Sequence, residues 1–173
     1  PDDPVVSAKT LLEAGCHFGH KVSRWNPKMR KFIYGKRNNL HIIDLNKSAV
    51  QMQSAYHALK DIVSKGGKVL FVGTKAYAQK AIQEEAVRSG SFFVCHRWLG
   101  GTLTNFHTSV KRIALLRSLE QEELSGELEK LPKKEAAEKL KLKAKLSQNL
   151  EGIKELRLLP QALVVVDPKT EHN

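Results

Sequence analysis

The side chains best placed to do chemistry in this sequence fall in three short stretches. The first, Phe92 to Asn105, reads FFVCHRWLGGTLTN. Its apolar start suits a strand buried on both faces, which puts His96, Arg97 and Trp98 at the polar end of that strand. Gly100-Gly101 adds bare backbone that a partner can approach closely. Thr102 or Thr104 could cap a following helix whose free N–H groups would face an anion. Together these make a phosphate-contacting corner, or, equally, an ordinary strand-to-helix turn with Trp98 in the core. The second stretch, Cys16 to Arg37, interleaves cations with Phe18, Trp25, Phe32 and Tyr34. Cations track phosphates and aromatic faces stack on bases, so the composition suits RNA, with a solvated basic loop as the plainer reading. The third is KVLFV followed by Gly73-Thr74-Lys75, a strand, glycine turn and helix start of the kind that binds ligands at the C-terminal edge of a parallel sheet. GTK lacks the spacing of a Walker loop or a dinucleotide fingerprint, yet it leaves a nucleotide-dependent enzyme as the alternative function.

Other chemistry finds little footing. Cys16, His17 and His20 lie close together, and Cys95-His96 could in principle join them, but no paired CxxC or HxxxH spacing supports a zinc site. The two histidines are expected to bracket a tight turn at Gly19. Neither a third orienting group for a Cys–His pair nor a loop-borne pair of carboxylates stands out. The sequence therefore leads to the expectation of no enzyme, no cofactor and no metal.

Charge decides between the remaining readings. The 173 residues carry a net +11, which calls for a polyanionic partner. From His17 to Lys47 there are eight cations (Lys21, Arg24, Lys28, Arg30, Lys31, Lys36, Arg37, Lys47) against Asp44, a local +7. From Lys65 to Arg112 eight more (Lys65, Lys68, Lys75, Lys80, Arg88, Arg97, Lys111, Arg112) stand against Glu84 and Glu85, a local +6. The rest sums to −2, so the surplus is a localised footprint. No apolar run reaches the roughly 20 residues of a membrane span and no secretory leader is evident, so no membrane is expected, and with nothing demanding an enzyme no small-molecule substrate is expected either. Two cysteines give no disulfide framework, and a cytosolic setting is the simpler expectation.

The elements that must position these residues follow in order. A helix pattern covers Val5 to Ala14, with Ser7 to cap it and Gly15 to end it. Asn26-Pro27 marks a turn. Phe32 to Tyr34 and Leu40 to Ile43 read as a basic β-hairpin joined by a turn at Gly35 to Asn39. A helix capped by Asp44 or Asn46 runs to Ser64. Strand Lys68 to Val72, helix Ala76 to Ser89 and the Phe92 strand make a right-handed βαβ unit. Val110, Ile113, Leu116 and Leu119 recur at helical spacing, Ser125-Gly126 interrupts, and a second helix from Pro132 carries Leu142, Leu146, Leu150, Ile153 and Leu156. This is an antiparallel helical, coiled-coil hairpin. Nine cations balance nine acids from Ile113 to Glu155, so the hairpin is not given a general RNA-binding role. Leu163 to Val166 is a third apolar strand. The expected organisation is an α/β sheet domain, residues 1–107 and 157–173, with residues 108–156 inserted as the hairpin. Three strands make a thin sheet, so further βα units are expected in a longer chain.

LLEAGCHFGHKVSRWNPKMRKFIYGKRNNLHIIDL, KVLFVGTK and FFVCHRWLGGTLTN resemble, in that order, the bacterial-type small-subunit ribosomal protein S2 family. The resemblance covers essentially the whole chain, including a helical hairpin after GGTLTN and a return strand like ALVVVDP before EH. It departs from the family at Cys16 and Cys95, where other small or polar residues are expected. The resemblance implies a flavodoxin-like parallel sheet flanked by helices, a protruding coiled coil, no catalysis, and docking on small-subunit rRNA near the head–body junction. It also implies neighbouring ribosomal proteins, including the large first protein of the subunit where that is present. Organellar relatives share these motifs, so a cytoplasmic or an organellar ribosome fits. The phosphate contacts expected are Arg24, Lys28, Arg30, Lys31 and Arg37, with His20, Lys21, Trp25 and Lys36 beside them. Lys75, Arg97, Trp98, Thr104, Asn105, Lys111 and Arg112 form the second contact, in which Trp98 is at least half structural.

Overall fold

The computed structural model describes residues 5–172. The chain folds as two compact units, residues 1–64 and 65–173.

In the first unit, α1 (Ala8–Glu13) starts where the Ser7 side chain accepts a hydrogen bond from the Thr10 N–H, and the left-handed Gly15 follows its end. Three antiparallel strands come next, β1 (Phe18–Lys21), β2 (Ile33–Arg37) and β3 (Leu40–Ile43), in the order β1-β3-β2. The hairpin ladder continues to Arg37 opposite Leu40, so its turn is only Asn38-Asn39 and not the longer Gly35 to Asn39 expected. Both asparagines have positive φ, 49° and 61°, the conformation that two-residue hairpin turns need and that asparagine tolerates. Nor is there a tight turn at Gly19. That glycine lies inside β1, and a Cβ there would stand 2.9 Å from the His41 carbonyl oxygen on β3. Close strand approach, not turning, requires it. Helix α2 (Leu45–Ser64) is capped by Asp44, whose Oδ1 accepts from the N–H groups of Asn46 and Lys47 at 3.1 and 3.3 Å. Gly66, at φ +81°, follows the helix end.

The second unit is α/β. Strands β4 (Val69–Val72), β5 (Phe92–Val94) and β6 (Ala162–Val165) form a parallel sheet in the order β5-β4-β6, with α3 (Ala76–Arg88) crossing between the first two. Side chains alternate across it. Leu70, Val72 and Val94 point to one face, while Phe71, Phe93 and Val166 pack with Ala78 and Ile82 of α3 and with Cys95 on the other. The first face is covered by α4 (Phe106–Leu124) and α5 (Lys133–Leu150), which bring Ile113, Leu116 and Leu150 to it, followed by Ile153 and Leu156. Each such side chain is worth about 1.5–3 kcal/mol when fully buried, so the root of the hairpin is a main source of this unit's stability.

Helix α4 ends at Ser125 and Gly126 takes φ +72°, as the sequence break there implies. The two helices run antiparallel and are laced by Glu122–Lys139 and Glu120–Lys154 pairs, both 2.6 Å, by a Glu123–Lys143 pair, and by Arg117–Glu155 at 2.7 Å. The expected leucine stripe is not uniform. Leu142 is exposed, the α-helix stops at Leu150, and a 3-10 turn (Glu151–Ile153) delivers Ile153 to the core. Away from the sheet the two helices pack on each other and on the 3-10 turn that joins them (Glu127–Lys130), which buries Leu128 while Leu124, Leu140 and Leu142 stay exposed.

Candidate nucleic-acid interface

In the first unit the basic segment is shaped by two 3-10 turns, Val22–Arg24 and Pro27–Phe32. Asn26 caps the second by accepting from the Lys28 N–H at 3.0 Å, and Pro27 presets its backbone. The short turn then displays Lys28, Arg30 and Lys31 at the surface, next to exposed His20, Lys21 and Arg24. Trp25 is half-buried, its ring tilted on His41 at 4.7 Å, so it fastens the segment to β3. The Lys31 ammonium sits 4.9 Å from the centre of the Phe32 ring. Lys36 and Arg37 lead into the Asn38-Asn39 turn and are exposed.

Electrostatics sort these cations. Lys47 donates to the Lys31 carbonyl at 2.8 Å and pairs with Asp44 at 3.3 Å, so its charge holds the turn to the helix start. Burial alone would raise the Asp44 carboxyl, but hydrogen bonds and charge from Lys47, with the Asn46 N–H, outweigh it and hold the group below its ordinary range. By contrast, Lys21, Arg24, Lys28, Arg30, Lys36 and Arg37 have no carboxylate partner among the described residues. Their charge is free for an outside anion. Beside Lys36 and Arg37 lies an apolar groove formed by Leu12, Phe18, Tyr34, Leu40 and Ile42, with Phe18 61% and Tyr34 81% exposed.

In the second unit the loop after β5 leaves Arg97 exposed while Trp98, Leu103 and Phe106 pack on the core that includes Leu70 and Leu116. Trp98 is structural to that extent. Neither threonine caps α4. Thr102 is buried and its hydroxyl donates to the Leu99 carbonyl at 2.6 Å, Thr104 stays exposed in the loop, and the helix begins at Phe106 with Asn105 as cap residue. The glycines turn the chain once more before the helix can start. Asn105 accepts from the Thr108 hydroxyl at 2.9 Å, and with Gly100, Gly101, Ser109 and Arg112 it lines a shallow polar recess. Lys111 and Arg112 are exposed on α4 without an ion-pair partner among the described residues.

Lys75 is in a different situation. It forms an ion pair with Asp167, which raises the Lys75 ammonium above and pushes the Asp167 carboxyl below their ordinary ranges. Beside it, Glu171 Oε1 accepts from both the Thr74 N–H at 3.0 Å and the Thr74 hydroxyl at 2.6 Å. The donors that a phosphate would need at this turn are thus engaged. Sequence reading misses both acids. Their one signal is position, because Asp167 and Glu171 follow the third strand and parallel strands end on the same edge.

Among the described residues no group of three or more His, Cys, Asp or Glu side chains is placed to hold a metal, and no helix is long and apolar enough to cross a membrane. The sequence matches the protein family described as Ribosomal protein S2 over residues 11–173.

Proposed function

The chain belongs to the ribosomal protein S2 family, a family of structural proteins of the small ribosomal subunit, and from that premise we propose that it binds small-subunit rRNA through its two basic segments. The observation that carries the reading is the set of exposed cations, Lys21, Arg24, Lys28, Arg30, Lys36 and Arg37, that no carboxylate among the described residues neutralises. These would contact phosphates along a single stretch of backbone. Arg97, Lys111 and Arg112, with the polar recess at Asn105, supply the second contact, and Thr104 lies in the same loop. His20 and Lys31 sit beside the first set, Trp25 and Trp98 hold the two segments in place, and Lys75 acts mainly within the fold.

The apolar groove at Phe18 and Tyr34 serves a different partner. Its lining offers aromatic and aliphatic surface with cations at the rim, which fits an amphipathic, acid-edged segment of a neighbouring ribosomal protein, the large first protein of the subunit among them. Residues 108–156 are an inserted module on the sheet domain. The role is structural, without catalysis, on a cytoplasmic or organellar ribosome. The alternative, nucleotide-dependent chemistry at Gly73-Thr74-Lys75, loses its footing because Glu171 and Asp167 take the donors it needs.

The test is affinity for small-subunit rRNA and for an unrelated duplex of equal length across a salt series. Each phosphate contact contributes about 0.7–0.9 to the slope of log affinity against log salt. Reversing Arg24, Lys28 and Arg30 to glutamate should weaken binding and flatten the slope by about 2–3. Unchanged binding removes this segment from the interface. Equal, weak binding to both RNAs by the unaltered chain removes the rRNA reading.

A further inference from the structure

We infer that the turn following β6 is the resident anion of the Gly73-Thr74-Lys75 turn: the carboxylates of Asp167 and Glu171 fill, from within the chain, the place where a strand–glycine–helix turn would hold a phosphate. The strand order makes this possible. β4 and β6 are neighbours and parallel, so the segment after Val165 emerges beside the start of α3. The Val166 N–H still bonds the Val72 carbonyl at 2.8 Å, which carries the chain past the edge in register.

The seat has the parts an anion site needs. A Cβ on Gly73 would stand 2.2 Å from the terminal Cδ1 methyl of Ile82 on α3 and 3.1 Å from Val166 Cβ after β6, so a bare residue lets the helix and the return strand pack closely around the strand end. Thr74 offers its N–H and hydroxyl to one oxygen, and Lys75, the cap residue of α3, supplies the cation without capping the helix through its side chain. Gln79 Nε2 donates to the Thr74 carbonyl at 2.9 Å and holds the turn open in that shape. What fills the seat is protein. Glu171 is only 9% exposed although it is a carboxylate, a burial that charge-assisted hydrogen bonds must offset. Asp167 takes a left-handed backbone at φ +62°, a conformation that aspartate, like asparagine, tolerates better than most residues, and its carboxylate also accepts from the Thr170 hydroxyl at 3.0 Å. Two acids of one turn, one of them buried, meeting the adjacent donors of Thr74 and Lys75 mark a dedicated contact. It closes the turn to phosphate and pins the return strand to the first strand of the sheet.

Amide NMR on the labelled full chain tests this. In the wild type the Thr74 amide should exchange slowly and its resonance should not move when orthophosphate is added. In an Asp167→Asn, Glu171→Gln double variant, exchange at Thr74 should be faster by about tenfold, the scale of one charge-assisted hydrogen bond. There the Thr74 resonance should also respond to orthophosphate, less so as salt rises. Fast exchange or a phosphate response in the wild type overturns the inference, and those two measurements decide it even if the double variant does not fold. A folded double variant whose Thr74 amide stays protected, or ignores phosphate, overturns it as well.

Discussion

Gly152→Ala should be among the costliest single-methyl additions to the second unit. Gly152 sits in the 3-10 turn after α5, where the chain passes over β5. A Cβ added there would stand 2.1 Å from the Phe93 carbonyl oxygen and 2.6 and 2.7 Å from Cδ2 and Cγ of its ring. Normal van der Waals contact begins near 3.4 Å, so the turn must recoil by more than about 1 Å from a backbone atom that cannot swing away. The recoil carries Leu150, Ile153 and Leu156 with it, each now 4% exposed or less. Overpacking costs about 1–3 kcal/mol. Uncovering roughly 50 Å² of apolar surface adds about 1 kcal/mol at 25 cal/mol per Å². Alanine's better helical propensity returns at most about 1 kcal/mol. The clash therefore wins, and the net loss should be about 1–3 kcal/mol, a sizeable part of a typical 5–15 kcal/mol stability. Urea unfolding followed by circular dichroism should show the midpoint falling by about 1–2 M. Gly100→Ala is the control, since nothing lies within 4 Å of its Cβ, and it should stay within about 0.5 kcal/mol of wild type. A Gly152→Ala midpoint at or above wild type would refute the packing argument.

Further outcomes concern thiols and pH. Cys16 is exposed and Cys95 is buried, with burial raising the Cys95 thiol, so a maleimide at neutral pH should modify one cysteine quickly and the second only on unfolding; equal rates would contradict the burial. Asp167 and Glu122 are held low by the hydrogen bonds from Lys75 and Lys139. Their contribution is complete above the ordinary carboxyl range and lost as pH falls through the depressed values, so stability should drop below about pH 4. Lys75 and Lys154 are raised, by Asp167 and Glu120 first, so their contribution is complete below about pH 10.4 and lost as pH climbs through the raised values. Asp167→Asn with Glu122→Gln should flatten the acid limb of the stability profile; an unchanged limb would mean that other carboxylates carry it.

How much of this can be read from the chain depends on the range of the interaction concerned. The buried β4 and β5 strands, the helix stops at Gly66 and Gly126 and the hairpin announce themselves through local composition. β1 does not, because Phe-Gly-His-Lys has no clear alternation and Phe18 as its one strand former, and pairing with β3 makes it a strand. The start of α4 lies later than its residue types suggest because Thr102, a good cap by type, is drawn into the loop by Leu99 and the core beneath it. The acids facing Thr74 and Lys75 are invisible locally, since Thr74 and Glu171 stand 97 positions apart. Placing them requires knowing that β6 lands beside β4.

That placement also sets a clock for synthesis. β4 leaves the exit tunnel first, yet its partner β6 follows about 90 residues later, as the Lys68–Gln161 separation of 93 indicates. At 5–20 residues per second the sheet waits roughly 5–20 s for closure. During that interval the helical hairpin can form from local contacts, its helices in about a microsecond, and by drawing its two ends together it shortens the loop that remains to be closed. Halving that loop lowers the entropic cost by only about 0.6 kcal/mol. The greater benefit is cover, since Leu116 and Ile153 of the hairpin's root share one buried cluster with Leu70.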